Sequence, residues 1–194
     1  PIVVDVGSYE TKAVTLGIQS CRNLQAQIVL GVPLTTVAGA VSLFGSTLDI
    51  PLLDHRVKSP SLSDIDLFPY VSRTALSYQV EAGLLATLLS RFSFTQVVLL
   101  YDNVGLRDGY VEVLTQAAAS LNISTDLVRA ASTSSASGNT AAQANAVKAL
   151  LRRNTPRVAV LQLPPAGVVA FLSRAKEAGL DIPSWTWFVT GAPL

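Results

Sequence analysis

The sequence contains no methionine, one cysteine (Cys21) and one histidine (His55) in 194 residues. A single thiol cannot form an internal disulfide, so cysteine usage leaves the redox compartment undetermined. Cys21 reads either as a thiol parted from its partner or as a buried, inert one. One histidine, with no cysteine or second histidine at ligand spacing, argues against a metal site. Charge is also scarce. Charged residues make up 14% of the chain and the net charge is +1, against roughly 25% charged in an ordinary soluble domain. Near neutrality argues against a nucleic-acid partner, because phosphate binding needs a concentrated basic face. The adjacent Arg152 and Arg153 fall at the expected C-terminal end of a helix, where the helix dipole accounts for them. No apolar run approaches the roughly 18 residues of a membrane span. Any membrane attachment is therefore expected through segments outside this chain, which starts at Pro1 without a visible signal peptide and reads as part of something longer.

Catalytic signatures are missing too. Gly-x-Ser-x-Gly, the Walker A loop and Gly-x-Gly-x-x-Gly do not occur. His55 and Cys21 lie in different βα units without a partner motif, and loop solvation explains Asp54, Asp102 and Asp108 near strand ends. The segment reads as a non-enzyme that needs no cofactor.

The sequence does have rhythm. Residues 2–4, 27–30, 50–53, 97–101, 158–163 and 185–189 are short apolar runs rich in branched or aromatic side chains. Runs of that kind suit strands covered on both faces, hence parallel ones. Helical spacing fills the intervals. Residues 78–92 set Val80, Leu84, Leu85, Leu88, Leu89 and Phe92 on one stripe, and 111–121, 141–151 and 168–178 repeat the pattern, with Gly179 as a C-cap. Right-handed crossovers then give an α/β fold of doubly wound parallel sheets with flanking helices. The rhythm breaks at 54–74, which carries two prolines, four serines and one short apolar strand signal at 68–71. Two adjoining lobes are expected, 1–74 with the crossing strand and 75–194. The low-complexity patch 132–140 (STSSASGNT) reads as a loop.

With these elements in order, five segments resemble the receptor ligand-binding region of the type I periplasmic-binding-protein superfamily, shared by natriuretic-peptide receptors, class C G-protein-coupled receptors, glutamate-receptor amino-terminal domains and bacterial amino-acid-binding proteins. They are DVGSYETKA (5–13), QIVLGVPLTTVA (27–38), IPLLDHRVKSPSLSD (50–64), FPYVSRTALSYQVEAGLL (68–85) and FSFTQVVLLY (92–101). Together they cover about half the chain. The resemblance implies a two-lobed periplasmic-binding-protein-like module on the extracellular or periplasmic face of a membrane protein, incomplete here because such regions run to roughly twice this length. It implies ligand sensing by hinge closure about 72–77. Two other functions stay open: a non-sensing assembly or dimerisation module that keeps the fold, and the substrate-binding component of a bacterial ABC transporter. Exposed Val37, Val41 and Phe44 would favour assembly.

Ligands of open α/β sheets sit beyond the carboxyl ends of the strands, which selects the loops 31–36, 54–59, 74–78, 102–107 and 132–140. Thr35 and Thr36 fall where a helix begins, so they read either as holders of a small anion or as ordinary N-cap residues. His55, Arg56 and Lys58 suit an acidic ligand or an acidic stretch of peptide, or else a solvated loop. Ser77, Tyr78 and Asp102 complete the candidate set. The resemblance also marks departures. Amino-acid-sensing class C receptors typically carry Ser-Ala-Thr at the positions of Arg56, Val57 and Lys58, an Asp at Tyr78 and an aromatic at Leu106. A free α-amino acid is therefore not the expected ligand; a small molecule or peptide, anionic in character, is. Asn122-Ile-Ser124 is a glycosylation sequon, usable in a secreted ectodomain. A homodimer or larger assembly is compatible with the low charge.

Overall fold

A computed structural model describes residues 10–23, 26–32, 34–102, 109–130, 140–152 and 157–190. The expected strand 2–4 lies outside them. The chain divides into two compact units, one ending at Glu81 and the other beginning at Ala82, within a single helix.

The first unit runs α1 (Glu10–Asn23), β1 (Val29–Leu30), α2 (Thr35–Ser46), β2 (Leu52–Asp54), a 3-10 turn (Pro60–Ser63), β3 (Val71–Arg73) and the start of α3 (Tyr78–Arg91). The strands form a parallel sheet in the order β1-β2-β3, with Leu52 opposite both Val29 and Val71, and Asp54 opposite Arg73. Parallel strands cannot be joined by tight turns, so the helices and the 3-10 segment serve as crossovers. The core gathers Ala13, Cys21, Val37, Ala38, Val41, Leu52 and Leu62, with Phe44 packed against it. Val37 and Val41 are thus buried rather than exposed, and the sign that would have favoured assembly is not found at these positions. The apolar side of α2 is used internally, because α1 lies on it at very close range. A Cβ added at Gly17 would stand 2.6 Å from Val41 Cγ2, so only glycine lets the two helices approach this far.

The second unit continues α3 and adds β4 (Gln96–Tyr101), α4 (Tyr110–Ser120), β5 (Ser124–Arg129), α5 (Thr140–Leu151), β6 (Val158–Gln162), α6 (Pro165–Glu177), a 3-10 turn (Ile182–Ser184) and β7 (Thr186–Val189). Its sheet is parallel throughout, in the order β5-β4-β6-β7. The central strands are the continuous apolar runs: β6 is buried at all five positions and β4 at four of six. Val98, Leu100, Ala159, Leu161, Leu150 and Phe171 share one core. Burying each large side chain contributes about 2 kcal/mol. Trp187 stacks on Trp185 and meets Phe171 edge-on, with centroids 5.6 and 6.4 Å apart. α6 ends as its sequence suggests, one step displaced: Ala178 is the C-cap, and Gly179 follows at φ 85°, its N–H donating to Lys176 O while Leu180 N–H donates to Ala175 O.

One expectation is corrected. The buried side of α3 is Tyr78, Ala82, Leu85, Ala86 and Leu89, whereas Val80, Leu84, Leu88 and Phe92 are exposed. The predicted stripe joined two neighbouring rows of the helix. Large apolar residues identify the stripe in sequence, whereas the small Ala82 and Ala86, both buried, do not register in it.

Candidate functional site

The candidate residues of the first unit stand where its parallel strands end. β1 leads through Gly31 and Val32 to α2, β2 leads into 55–59, and β3 leads through 74–77 into α3. Asp54, the last residue of β2, organises this edge. It is fully buried. One carboxylate oxygen accepts the Val32 N–H at 2.8 Å; the other accepts the N–H groups of Arg56 at 2.7 Å and Val57 at 2.8 Å. Its backbone carbonyl accepts the Thr74 N–H at 2.9 Å. One residue therefore ties the loops after β1, β2 and β3 together. In sequence Asp54 stands out only as a strand-end carboxylate. An Asp followed two residues on by donors that the chain's turn can bring back is the signal that was available.

Thr35 and Thr36 open α2, but neither caps it. Leu34 is the N-cap, in extended conformation (φ −127°, ψ 136°), and no side chain caps the first turn. The first-turn amides of a helix have no intrahelical acceptor. Thr35 is half-buried and Thr36 exposed. His55 and Arg56 are exposed. The His55 ring lies over Gly31, which adopts φ +67° and whose added Cβ would come within 3.3 Å of the imidazole Cε1.

Lys58 is engaged. Its Nζ lies 3.0 Å from Glu81 Oε2 and 5.8 Å from the centroid of the Tyr78 ring, and its carbonyl accepts the Tyr78 N–H at 2.8 Å. Glu81 was not anticipated from sequence, since nothing in a 23-residue separation signals the pairing. Ser77 supports the start of α3. Its carbonyl accepts the Glu81 N–H at 3.0 Å, and its hydroxyl accepts a long bond from Val80 N–H at 3.4 Å. Val57 is buried in the core. Arg73, missed as well, donates to Ser59 O at 2.8 Å and to the Ser63 hydroxyl, pinning the segment that follows the β2 loop. Burial lowers the affinity of Arg73 for its proton, and the Asp54 charge partly restores it.

In the second unit Asp102 is buried directly after β4. Loop positions 103–108, including Leu106 and Asp108, and 131–139 lie outside the described residues. A groove of about 520 Å³ is lined by Leu172, Lys176, Leu180, Asp181 and Ile182, between α6 and the turn that precedes β7. That is the amino end of the sheet, away from the edge where α/β sheets hold ligands.

Parallel βα units with an organised carboxyl edge define a binding scaffold of the open α/β class. Comparison with known proteins makes this specific. Residues 1–192 match the receptor family ligand binding region, and the chain belongs to that family. It is similar to glutamate receptor 2.2 of Arabidopsis thaliana, 25% identical over 193 residues, covering 97% of this chain and 20% of the relative. Glutamate receptor 2.3 of the same plant is 24% identical over 193 residues, with 97% and 21% covered. Glutamate receptor 2.4 is 25% identical over 170 residues, with 87% and 18% covered. The chain thus spans about a fifth of the length of these relatives. Among the described residues no helix is long and apolar enough to cross a membrane.

Proposed function

We propose that this chain is part of the extracellular ligand-sensing region of a membrane receptor, and that it takes an anionic small molecule or an acidic stretch of peptide at the carboxyl edge of its first sheet. The observation that carries this reading is the Asp54 clasp, which joins Val32, two residues before the N-cap of the uncapped α2, to the loop bearing Arg56. Free first-turn amides, the positive end of the helix dipole and one exposed guanidinium form a set that recognises carboxylate or phosphate oxygens. Thr35 and Thr36 add hydroxyl donors, and His55 lies over Gly31, just past the end of β1. Lys58, paired with Glu81 and set over the Tyr78 ring, acts with Tyr78 as the frame of this set rather than as its grip. Ser77 caps the helix behind them, and Asp102 is the matching strand-end residue of the second lobe. The departures at Arg56, Lys58 and Tyr78 speak against a free α-amino acid. Binding favours a closed arrangement of two lobes, divided near residue 74, to the extent that the ligand contacts both.

Thermal denaturation against a panel of amino acids, dicarboxylates, halides and short acidic peptides tests the reading. A saturable rise in Tm with an anionic member, abolished by Arg56→Ala, is expected. No shift with any member, from a sample that melts cooperatively, defeats it.

The assembly reading has one observation in its favour, the exposed row formed by Leu84 and Leu88 on α3 and Phe92 just past its end, of which Leu84 and Phe92 are each 62% exposed. Here the partner is a second copy of the chain. Concentration-dependent mass in solution that Leu88→Glu abolishes would support it, and a monomer at every concentration would remove it.

A further inference from the structure

We propose that Asn122 is the acceptor of an N-linked glycan, carried at the end of the second unit opposite its ligand-facing loops. Asn122-Ile123-Ser124 is the only Asn-x-Ser/Thr triplet in the sequence, and its three residues sit as an acceptor should. Asn122 and Ser124 are exposed, while Ile123 between them is 4% exposed and anchored in the core. Asn122 stands just past α4 at φ 60°, with its N–H donating to Ala119 O at 3.0 Å and the Ile123 N–H donating to Ala118 O at 2.9 Å. Its backbone is thereby fixed. Its carboxamide makes no hydrogen bond among the described residues.

A residue in the left-handed region just past a helix is commonly Gly or Asn for conformational reasons alone. That accounts for an asparagine at 122. It does not account for a hydroxyl two residues later with an inward-pointing residue between. The topology adds a second argument. Ser124 opens β5 opposite Gln96, and the strand ends with Arg129 opposite Tyr101, after which come Asp102 and the loops at the carboxyl edge. Five steps of about 3.3 Å separate the two ends, so a glycan at 122 starts about 17 Å along the strand from the ligand edge. It also stands two residues before β5, which is an edge strand among the described residues and whose Leu127 is 50% exposed. Open edges with apolar side chains invite pairing with other chains, and bulk placed there opposes it.

In the transfer, Asn122 Nδ2 forms a bond to the anomeric carbon of a lipid-diphosphate-linked oligosaccharide. The bond from that carbon to the diphosphate oxygen breaks, the lipid diphosphate leaves with the electron pair, and Nδ2 gives up one proton to base in the membrane-bound transferase. The proposal rests on the extracellular reading, since the donor and the enzyme lie on the secretory route.

The test uses the whole protein that carries this chain, expressed in a eukaryotic cell, labelled at the cell surface and mapped by mass spectrometry after peptide N-glycanase treatment in heavy-oxygen water. The expected result is conversion of Asn122 to labelled aspartate in most of the surface-labelled molecules. Ser124→Ala and Asn122→Gly, the latter compatible with φ 60°, should each abolish it and leave surface delivery in place. Unmodified Asn122 in the surface-labelled pool overturns the site and leaves the receptor reading standing. Absence of the protein from the surface pool overturns the receptor reading, and the glycan with it.

Discussion

The carboxylate of Asp54 accepts the backbone N–H of Val32 at 2.8 Å across 22 residues of chain. The distance in sequence matters because Asp54 ends β2 while Val32 lies two residues past the end of the neighbouring β1, and this bond fixes the approach to α2 relative to the β2 loop. Removing the side chain would leave three buried or half-buried backbone donors without an acceptor, at about 1–3 kcal/mol each for those that water cannot reach. Asp54→Ala should therefore lower unfolding stability by about 3 kcal/mol or more, read as a fall in the denaturant midpoint. Asp54→Asn retains one acceptor oxygen and should lose roughly half as much. Equal, small losses for both would mean that the clasp is not what holds this edge.

Pairing Lys58 with Glu81 at 3.0 Å leaves Arg56 as the exposed guanidinium of the same loop. Arg56→Ala should weaken binding of a dicarboxylate or acidic peptide by about tenfold, the worth of one charge-assisted hydrogen bond. Lys58→Ala should change it by less than about threefold and cost at most about 1 kcal/mol of stability, because the pair is partly exposed and screened. Glu81→Ala frees the ammonium, so it should strengthen anion binding while slightly destabilising the fold. Titration calorimetry on the three variants checks the order. A Lys58→Ala loss as large as that of Arg56→Ala would move the grip from one cation to the other.

The elements visible in the sequence are the ones whose residues repeat a single environment. β4 and β6 are buried on both faces, so Val97–Leu100 and Val158–Leu161 appear as unbroken apolar runs. β5 does not. Its residues Ser124–Arg129 mix polar and apolar side chains because the strand is an edge of its sheet, and no apolar run marks it. The placement of Thr35, Thr36, Arg56 and Lys58 after strand ends was legible because strand-end loops follow from the strand assignments. The pairing of Lys58 with Glu81 and the hydrogen bond from Val32 to Asp54 were not legible, since these contacts join residues far apart in the chain. The same holds for α3: hydrophobicity marks two rows, and only packing distinguishes them.

Gly31 carries two constraints at once, φ +67° and the His55 ring 3.3 Å from where a Cβ would stand. Gly31→Ala should cost about 1–2 kcal/mol, part from the left-handed backbone and part from the contact. In a His55→Ala background the contact is removed and only the backbone part remains, so the two substitutions should be non-additive, with the double variant more stable than the sum predicts. Strict additivity, measured by chemical denaturation of all four proteins, would show that the ring yields freely and that the backbone carries the whole cost.

Cys21 offers a pH-dependent reading of the first unit's core. Burial pushes its thiol above the ordinary value of 9.0, partly offset by hydrogen bonding to the backbone. The neutral thiol is the form the fold tolerates. Its contribution is fully present below the unfolded value and is lost as pH rises through the higher folded value, because the unfolded chain releases the proton first. Stability should accordingly be flat in this respect up to about pH 8.5 and fall above it, and Cys21→Ala should remove that part of the alkaline slope. The same burial predicts slow alkylation, since the attacking species is the thiolate. At about pH 8, iodoacetamide should label the native chain far more slowly than the unfolded one, with a rate that follows opening of the packing between α1 and α2. Rapid labelling of the native protein, with no change in alkaline slope on Cys21→Ala, would place the thiol in contact with water and detach α1 from the core.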